Sequence, residues 1–251
     1  MPVADAVRMK PGIAPKYRAA LFDLDDTLFD HRAHRQAALA AVAGHVPALS
    51  GASAGALEAA HEAVLQRTYQ ALLDGTLSLA QSRTERMREL LQYFGLVADE
   101  ALAAECEAIY RSAYDCDWQP VPGARELLSA LRELGLWIGI ITNGLQVEQA
   151  KKVRTLRLED AIEGMFVSET VGAQKPGREF FDHVLARTGF VPADCIVVGD
   201  LWETDIQGAL NAGMDSIWLN RYGRSGGPNA RVTEVASLLP TSSLLRLFAG
   251  S

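Results

Sequence analysis

Short apolar segments alternate with amphipathic segments along most of the chain, and few folds accommodate that order. Three apolar segments end in polar residues: RAALFDLD (18–25), LWIGIITN (136–143) and CIVVGD (195–200). The remaining predicted elements are shorter strands near 165–169 and 216–220 and helices over 122–135, 146–156, 178–188 and 205–212. Continuous apolar runs are typical of strands buried on both faces of a parallel sheet. The sequence therefore predicts an α/β protein with a doubly wound parallel sheet.

A stretch of different composition interrupts this alternation directly after the first apolar segment. Residues 31–117 are rich in Ala, Leu and Gln, contain almost no β-branched runs, and carry apolar residues at helical spacing. We therefore predict an all-α domain over 31–117, inserted into an α/β core made of 18–30 and 118–251. Residues 1–17 lack the apolar segment of a secretory signal, and we interpret them as a flexible leader.

Charge and cysteine content argue against several classes of function. With 24 basic and 31 acidic residues the formal net charge is −7, which argues against binding to a nucleic-acid polymer. No segment approaches the roughly 18 apolar residues of a membrane span, so we expect no membrane partner. Cys106, Cys116 and Cys195 are far apart, as is typical of free thiols in a reducing, cytoplasmic compartment. A small anionic substrate remains compatible with these properties, and the oligomeric state stays open.

Polar residues stand at the carboxyl ends of the predicted strands, where a doubly wound sheet binds its ligands. These candidates are Asp23 and Asp25 after the first strand, Thr142 and Asn143 after the second, Lys175 in a later loop, and Asp200 and Asp205 after CIVVG. Carboxylates, a hydroxyl and an amine are groups that together could hold a magnesium ion and a phosphoryl group.

Asp23 and Asp25 are separated by one residue in FDLDDTLFD. In extended geometry their side chains share one face, about 6–7 Å apart. One carboxylate could then attack a phosphoryl group while the other moves a proton. The alternative is a turn in which Asp side chains hydrogen-bond the backbone, and we assign Asp26 and Asp30 to such turn or capping positions.

Thr142 and Lys175 each have a structural alternative. Thr142 could hold phosphate oxygens beside a helix N-terminus, or Thr-Asn-Gly could be a turn and nothing more. Lys175 could direct its ammonium at a phosphate as a point charge, or it could be a solvated surface residue. The residues alone do not decide between these interpretations.

Asp200 and Asp205 lie in GDLWETDIQGALNAG. Asp200, at a strand end beside the small Gly199, is a candidate Mg²⁺ ligand. Asp205 could instead be a first-turn acid favoured by the helix dipole, because Thr204 and Gln207 have the spacing of a capping box. Both interpretations of Asp205 could hold together.

Taken in order, these motifs resemble those of the haloacid dehalogenase-like hydrolase superfamily. D-x-D-x-T follows the first strand, Thr-Asn-Gly follows a later one, and Lys-Pro and Gly-Asp-x₄-Asp come after them. The resemblance extends from Arg18 to about Asn220 and is weakest in the helical stretch. It implies a Rossmann-like core with an inserted helical cap domain and the activity of an Mg²⁺-dependent phosphatase.

The resemblance also implies a role for each candidate. Asp23 would be the nucleophile and Asp25 the acid–base group, with the Asp25 backbone carbonyl on Mg²⁺. The metal would further be held by Asp23 and Asp200. The phosphoryl group would be bound by Thr142, Asn143 and Lys175. Asp205 would act through water or by positioning Lys175.

Within the superfamily the chain is most similar to the pyrimidine 5′-nucleotidase and phosphoglycolate phosphatase-like branch, although KPG stands where that branch often has KPDP. This similarity implies a small phosphorylated metabolite, a nucleoside monophosphate or a phosphoglycolate-like ester, hydrolysed through an aspartyl phosphate. A phosphosugar mutase and a non-catalytic protein that binds a phosphorylated ligand stay open as alternatives. Asp25 argues against a dehalogenase, because the dehalogenases of the superfamily lack this second acid.

Overall fold

The computed structural model describes residues 15–250 and contains, within that range, a parallel sheet of six strands in the order β3-β2-β1-β4-β5-β6. The strands are β1 (Ala19–Phe22), β2 (Trp137–Thr142), β3 (Gly164–Val167), β4 (Cys195–Gly199), β5 (Asp215–Leu219) and β6 (Val232–Val235). The order reverses direction between β1 and β4, and ligands bind in doubly wound sheets at such a switch point. The sheet confirms the predicted α/β fold class.

β1 lies in the middle of the sheet and is buried at all four positions. Ala19 is in register with Trp137 of β2 on one side and with Cys195 of β4 on the other. Leu21 belongs to a buried cluster that includes Phe181 and Val197. Small and aliphatic residues with no polar side chain suit a strand covered on both faces, as the sequence predicted.

Four long helices form a separate compact unit over His31–Trp118. They are α1 (His31–His45), α2 (Ala54–Leu73), α3 (Leu79–Tyr93) and α4 (Glu100–Tyr114). Ser53, Ser78 and Asp99 cap the amino ends of α2, α3 and α4 by accepting backbone N–H groups. Gly75 and Gly95 follow α2 and α3 with φ of 71° and 77°, a conformation that ends helices.

The chain leaves the α/β unit and returns to it at one point. The N–H of Asp30 donates to the carbonyl oxygen of Gln119 (3.2 Å), and Phe29 forms an antiparallel bridge with Pro120. The α/β unit therefore continues on both sides of the insertion, and Trp118, which we predicted as its first returning residue, belongs to the helical unit.

The α/β unit also contains six α-helices within residues 119–250. They are α5 (Ala124–Glu133), α6 (Gln146–Thr155), α7 (Ser168–Val171), α8 (Arg178–Thr188), α9 (Gln207–Asn211) and α10 (Thr241–Phe248). A π-helical turn, Trp202–Ile206, precedes α9. Among residues 15–250 no helix has the length and the apolarity needed to cross a membrane.

Several details differ from the sequence-based expectation. Residues 168–171, whose first two we placed in a strand, form the single turn α7, and β6 and α10 were not predicted. Residues 1–14 of the predicted leader lie outside the described residues. The rest of it, 15–17, joins the α/β unit: the N–H of Lys16 donates to Phe248 (2.8 Å) and Tyr17 is buried. Cys106 and Cys195 are buried free thiols, whereas Cys116 is exposed.

Candidate active site

Three buried carboxylates come together where β1 and β4 end. Asp23 follows β1, and its N–H donates to the carbonyl oxygen of Val198 (2.9 Å), which extends the strand pairing by one residue. Asp200 follows β4, and Asp205 lies in the π-helical turn after it. Asp23, Asp200 and Asp205 each offer a carboxylate oxygen within 4.8 Å of the other two. Negative charges this close in a buried site repel one another and require a cation.

Lys175 supplies part of that positive charge. Its ammonium donates to Asp23 Oδ1 (2.6 Å), to Asp205 Oδ1 (2.7 Å) and to the carbonyl oxygen of Ile141 (2.8 Å), which uses all three N–H groups. Burial would lower the pKa of Lys175, but Asp205 and Asp23 outweigh it and raise that pKa above its usual value. Lys175 is 3% exposed, so the alternative of a solvated surface lysine is wrong.

Asp23 and Asp200 at the switch point have strongly raised pKa values. Burial, opposed by Lys175 and reinforced by Asp205, raises the pKa of Asp23 to about 7. Burial, reinforced by Asp23 and Asp205, raises the pKa of Asp200 to about 9, although Arg224 donates to Asp200 Oδ2 at 3.2 Å. A divalent cation held by oxygen ligands would offset this excess of negative charge, so these residues fit Mg²⁺.

Asp205 is held by the local backbone as well as by Lys175. Its Oδ2 accepts the N–H of Leu201 (3.0 Å). A Cβ at Gly199 would lie 2.4 Å from the Asp205 Cβ, so this approach requires glycine at the end of β4. The capping box that we considered is not formed, because Thr204 lies inside the π-helical turn and Gln207 donates to Asn211 (2.9 Å) instead.

The end of β2 contributes Thr142 and Asn143. Thr142 is buried, and its hydroxyl donates to the Asn143 carbonyl oxygen over 3.3 Å. The Asn143 amide donates to the Lys175 carbonyl oxygen (3.0 Å) and its Oδ1 accepts the Lys175 N–H (2.9 Å). The side chain of Asn143, which we predicted to bind phosphate, is therefore engaged in fixing the backbone of Lys175.

Asp25 does not take part in the carboxylate cluster. Both of its oxygens lie 2.7 Å from Lys152 Nζ, and Gln149 Nε2 donates to Oδ2 at 3.1 Å. Neither Gln149 nor Lys152 was predicted as a site residue. The sequence does not single them out, because Val153 is buried beside them whereas Val147, the other valine of α6, is exposed.

The other acids of the first motif differ from each other: Asp26 lies in a turn, as we assigned it, whereas the Asp30 side chain forms an ion pair. Asp26 has φ of 64° and its N–H donates to the Phe29 carbonyl oxygen (2.7 Å), a left-handed position that Asp tolerates. Asp30 accepts two hydrogen bonds from the Arg221 guanidinium, at 3.1 and 3.2 Å. Residues 223–230 form an exposed loop, and its Arg224 contacts Asp200, which the sequence did not indicate.

Known proteins are similar to this chain in sequence and in structure. Residues 17–213 match the family model of haloacid dehalogenase-like hydrolases, a range that contains every candidate from Asp23 to Asp205. The chain is 30% identical over 235 residues to the HAD-hydrolase YfnB of Bacillus subtilis, covering 92% of this chain and 93% of YfnB. It is 40% identical over 106 residues to pyrimidine 5′-nucleotidase YjjG of Escherichia coli, covering 42% of this chain and 47% of YjjG. A crystal structure of YfnB bound to magnesium has a TM-score of 0.71 and 28% identity, covering 93% of this chain and 99% of that one.

Proposed function

The chain belongs to the haloacid dehalogenase-like hydrolase family, and from this premise we propose that it is an Mg²⁺-dependent phosphatase acting through an aspartyl phosphate. One observation carries the proposal: Lys175 bridges Asp23 and Asp205 beside Asp200, while Asp25, two residues after Asp23, stands apart from this cluster. The arrangement separates a nucleophile from an acid–base group, which is the division of labour that covalent phosphoryl transfer needs.

Asp23 is the nucleophile in this proposal. Its Oδ1 is held by Lys175 at 2.6 Å, and we assign the attack on phosphorus to Oδ2. The new bond joins Oδ2 to phosphorus while the bond from phosphorus to the ester oxygen breaks. Lys175 offsets negative charge near the attacking group, and the Thr142 hydroxyl donates to a phosphoryl oxygen.

Asp25 moves protons in both half-reactions. It gives a proton to the departing ester oxygen, and it then takes one from the water that hydrolyses the aspartyl phosphate. Asp23, Asp200 and the Asp25 carbonyl would hold Mg²⁺, and Asp205 positions Lys175. When bound, Mg²⁺ supplies positive charge that screens the phosphate from the carboxylates.

The substrate is a small phosphomonoester, and we propose a nucleoside monophosphate or a phosphoglycolate-like ester. The similarity to the nucleotidase YjjG supports the first of these. The three cysteines are free thiols, which supports a cytoplasmic location. Every position of the catalytic set is filled, and this favours an enzyme over a protein that merely binds a phosphorylated ligand.

The test is phosphate release from a panel of esters, with and without Mg²⁺. The panel contains an aryl phosphate, pyrimidine and purine nucleoside monophosphates, phosphoglycolate and sugar phosphates. We expect Mg²⁺-dependent release that Asp23→Asn reduces by about a thousandfold or more. Asp182→Asn, the same change at an exposed residue of α8, should retain wild-type rates.

Three results would contradict the proposal. Near-normal release by Asp23→Asn would show that Asp23 is not the nucleophile. Isomerised sugar phosphate without free phosphate would identify the mutase alternative. Folded, Mg²⁺-loaded protein that releases no phosphate from any ester would likewise exclude a phosphatase for this substrate range.

A further inference from the structure

Two buried polar side chains on α6 have no role in the mechanism proposed above. Gln149 is 2% exposed and Lys152 is 7% exposed, and they stand one helical turn apart on the face that also carries Val153. Burying an amide and an ammonium is unfavourable unless each has partners. Their partners are Asp25, the proposed acid–base group, and Thr142, the proposed phosphate-binding hydroxyl. Gln149 and Lys152 therefore belong to the candidate site.

Lys152 fixes the carboxylate of Asp25 in one orientation. Its ammonium lies 2.7 Å from both oxygens, and the Phe29 ring is 5.4 Å from the same ammonium. The Lys152 side chain is 9% exposed and the Asp25 side chain 29%, so the ammonium is buried while water still reaches the carboxylate. A two-oxygen contact to a buried cation restricts rotation of the carboxylate more than a single hydrogen bond would.

Gln149 links Asp25 to Thr142. Its Nε2 lies 2.6 Å from Thr142 Oγ1, 3.0 Å from the Asn143 carbonyl oxygen and 3.1 Å from Asp25 Oδ2. The Asn143 carbonyl oxygen can only accept, as can the ionised Asp25 carboxylate, and exchanging the amide oxygen and nitrogen would place an oxygen against both. The orientation of the Gln149 amide is therefore fixed by its surroundings.

This orientation determines where the Thr142 proton goes. Because Gln149 Nε2 is a donor and cannot accept a hydrogen bond, the Thr142 hydroxyl must donate elsewhere. Its acceptor in the structure is the Asn143 carbonyl oxygen at 3.3 Å, a long O–H···O hydrogen bond. A phosphoryl oxygen is charged and is a stronger acceptor, so Gln149 leaves Thr142 ready to donate to it.

We propose that Gln149 and Lys152 are positioning residues that assemble the acid–base group and the phosphate-binding hydroxyl from one face of α6. Lys152 acts through Asp25, and Gln149 acts through both Asp25 and Thr142. The proposal rests on the phosphatase function argued above. It predicts that the two residues affect different kinetic constants, because Asp25 serves proton transfer and Thr142 serves phosphate binding.

Steady-state hydrolysis of an alkyl phosphomonoester and inhibition by orthophosphate separate these effects. Lys152→Met should lower kcat by about tenfold or more and change the orthophosphate Ki less than about twofold. Gln149→Met should lower kcat and also raise the orthophosphate Ki by about tenfold. Arg154→Met removes an exposed cation of the same helix and should leave both constants unchanged. Lys152→Arg, which keeps the charge, should recover part of the lost kcat.

A double-mutant cycle tests whether Gln149 acts through Thr142. Thr142→Val removes the hydroxyl, and Gln149→Met should then raise the orthophosphate Ki no further in that background. Additive effects of the two substitutions on Ki would overturn the link. If Gln149→Met does not fold, Gln149→Leu also removes the donor without adding charge, and it carries the same expectation.

The outcomes also separate this proposal from the proposed function. The positioning roles alone would be overturned if the wild type turns over substrate and the variants Gln149→Met and Lys152→Met have the same kcat and Ki as Arg154→Met. Changes in kcat and Ki that merely follow the melting temperature of each variant would also overturn the positioning roles, since they indicate a structural role. A wild type without phosphatase activity would overturn the proposed function, and the positioning roles with it.

Discussion

Asp23 and Asp200 are carboxylates that the fold holds where negative charge is unfavourable. Their pKa values are raised to about 7 and about 9, mainly by burial and then by neighbouring acids. In the unfolded chain both groups ionise near pH 4. Between these values the metal-free folded protein binds more protons than the unfolded chain, so its stability falls as the pH rises from about 4 to about 9.

Binding of Mg²⁺ should therefore become more favourable with rising pH. The metal competes with protons on Asp23 and Asp200, and its affinity should rise by up to about tenfold per pH unit for each proton displaced. We expect the increase in melting temperature on adding Mg²⁺ to grow from pH 6 to pH 9. Scanning calorimetry across this range checks it, with Asp200→Asn as the variant that should lose most of the effect. If the increase in melting temperature on adding Mg²⁺ does not depend on pH, the assignment of Asp23 and Asp200 as metal ligands is contradicted.

Sequence reasoning found the residues that stand at strand ends and missed those that depend on helix orientation. Asp23, Thr142 and Asp200 follow apolar runs, and parallel strands bring their carboxyl ends to one edge. Lys152 and Gln149 become visible only when the rotation of α6 about its axis is known, because their neighbours in the sequence are polar as well. Local spacing alone gave no such information.

A buried charge cluster joins the first two helices of the helical unit. Glu58 on α2 accepts two hydrogen bonds from Arg32 (2.7 and 2.8 Å), one from Arg35 (2.9 Å) and one from Gln36 (3.1 Å), all on α1. Burial would raise the pKa of Glu58, but these donors outweigh it and lower the pKa to about 2. The α1–α2 contact thus depends on one ionised carboxylate.

Removing that carboxylate should weaken the helical unit. Glu58→Gln removes the carboxylate that Arg32 and Arg35 share and leaves Arg35 only its pair with the more exposed Glu62, so we expect a loss of about 3 kcal/mol in the free energy of unfolding. Glu89→Gln breaks an ion pair with Arg67, whose side chain is 61% exposed, and should cost less than about 1 kcal/mol. Urea denaturation at pH 7 measures both. Since the pKa is lowered on folding, the Glu58 contribution is present above about pH 4.5 and should be lost as the pH falls towards 2. Equal losses for both variants would contradict the role of Glu58.

The central strands and the long helices follow from the sequence, whereas the edge elements do not. β4 is buried at every position and appears in the sequence as an uninterrupted apolar run. β6 is partly exposed along its whole length, and VTEV has no apolar run to mark it. The π-helical turn Trp202–Ile206 exists because Asp205 must reach Lys175, a tertiary requirement that the capping-box pattern does not contain.

At the scale of the whole molecule, the chain leaves the α/β unit after Asp30 and returns to it at Gln119, and these two residues are hydrogen-bonded to each other. Asp30 and Gln119 are in direct contact through their backbones, and Val121 N–H donates to Leu28 (2.9 Å) just beyond them. A short connection can span such neighbours at little cost in loop entropy. The α/β unit carries its own sheet and buried cluster.

A variant in which a short Gly-Ser linker replaces His31–Trp118 should therefore fold. We expect cooperative thermal unfolding and dispersed amide resonances from the remaining α/β unit, because its six strands and their order are unchanged. The matched control deletes α5 instead, whose Leu127, Leu128 and Leu131 are buried, and it should not fold cooperatively. A non-cooperative, molten state of the linker variant would show that the sheet depends on the insertion.

The central position of β1 has a consequence for how the chain folds during synthesis. Ala19 pairs with Trp137 and with Cys195, so 176 residues (195 − 19) separate the first strand from its second partner. At about 5–20 residues per second, the ribosome needs roughly 9–35 seconds to make that distance. The helical unit, whose contacts are local, is complete long before then. The strand that ends at Asp23 thus emerges first and acquires its place in the sheet late, so the nascent chain carries a fully apolar strand without its neighbours for most of its synthesis.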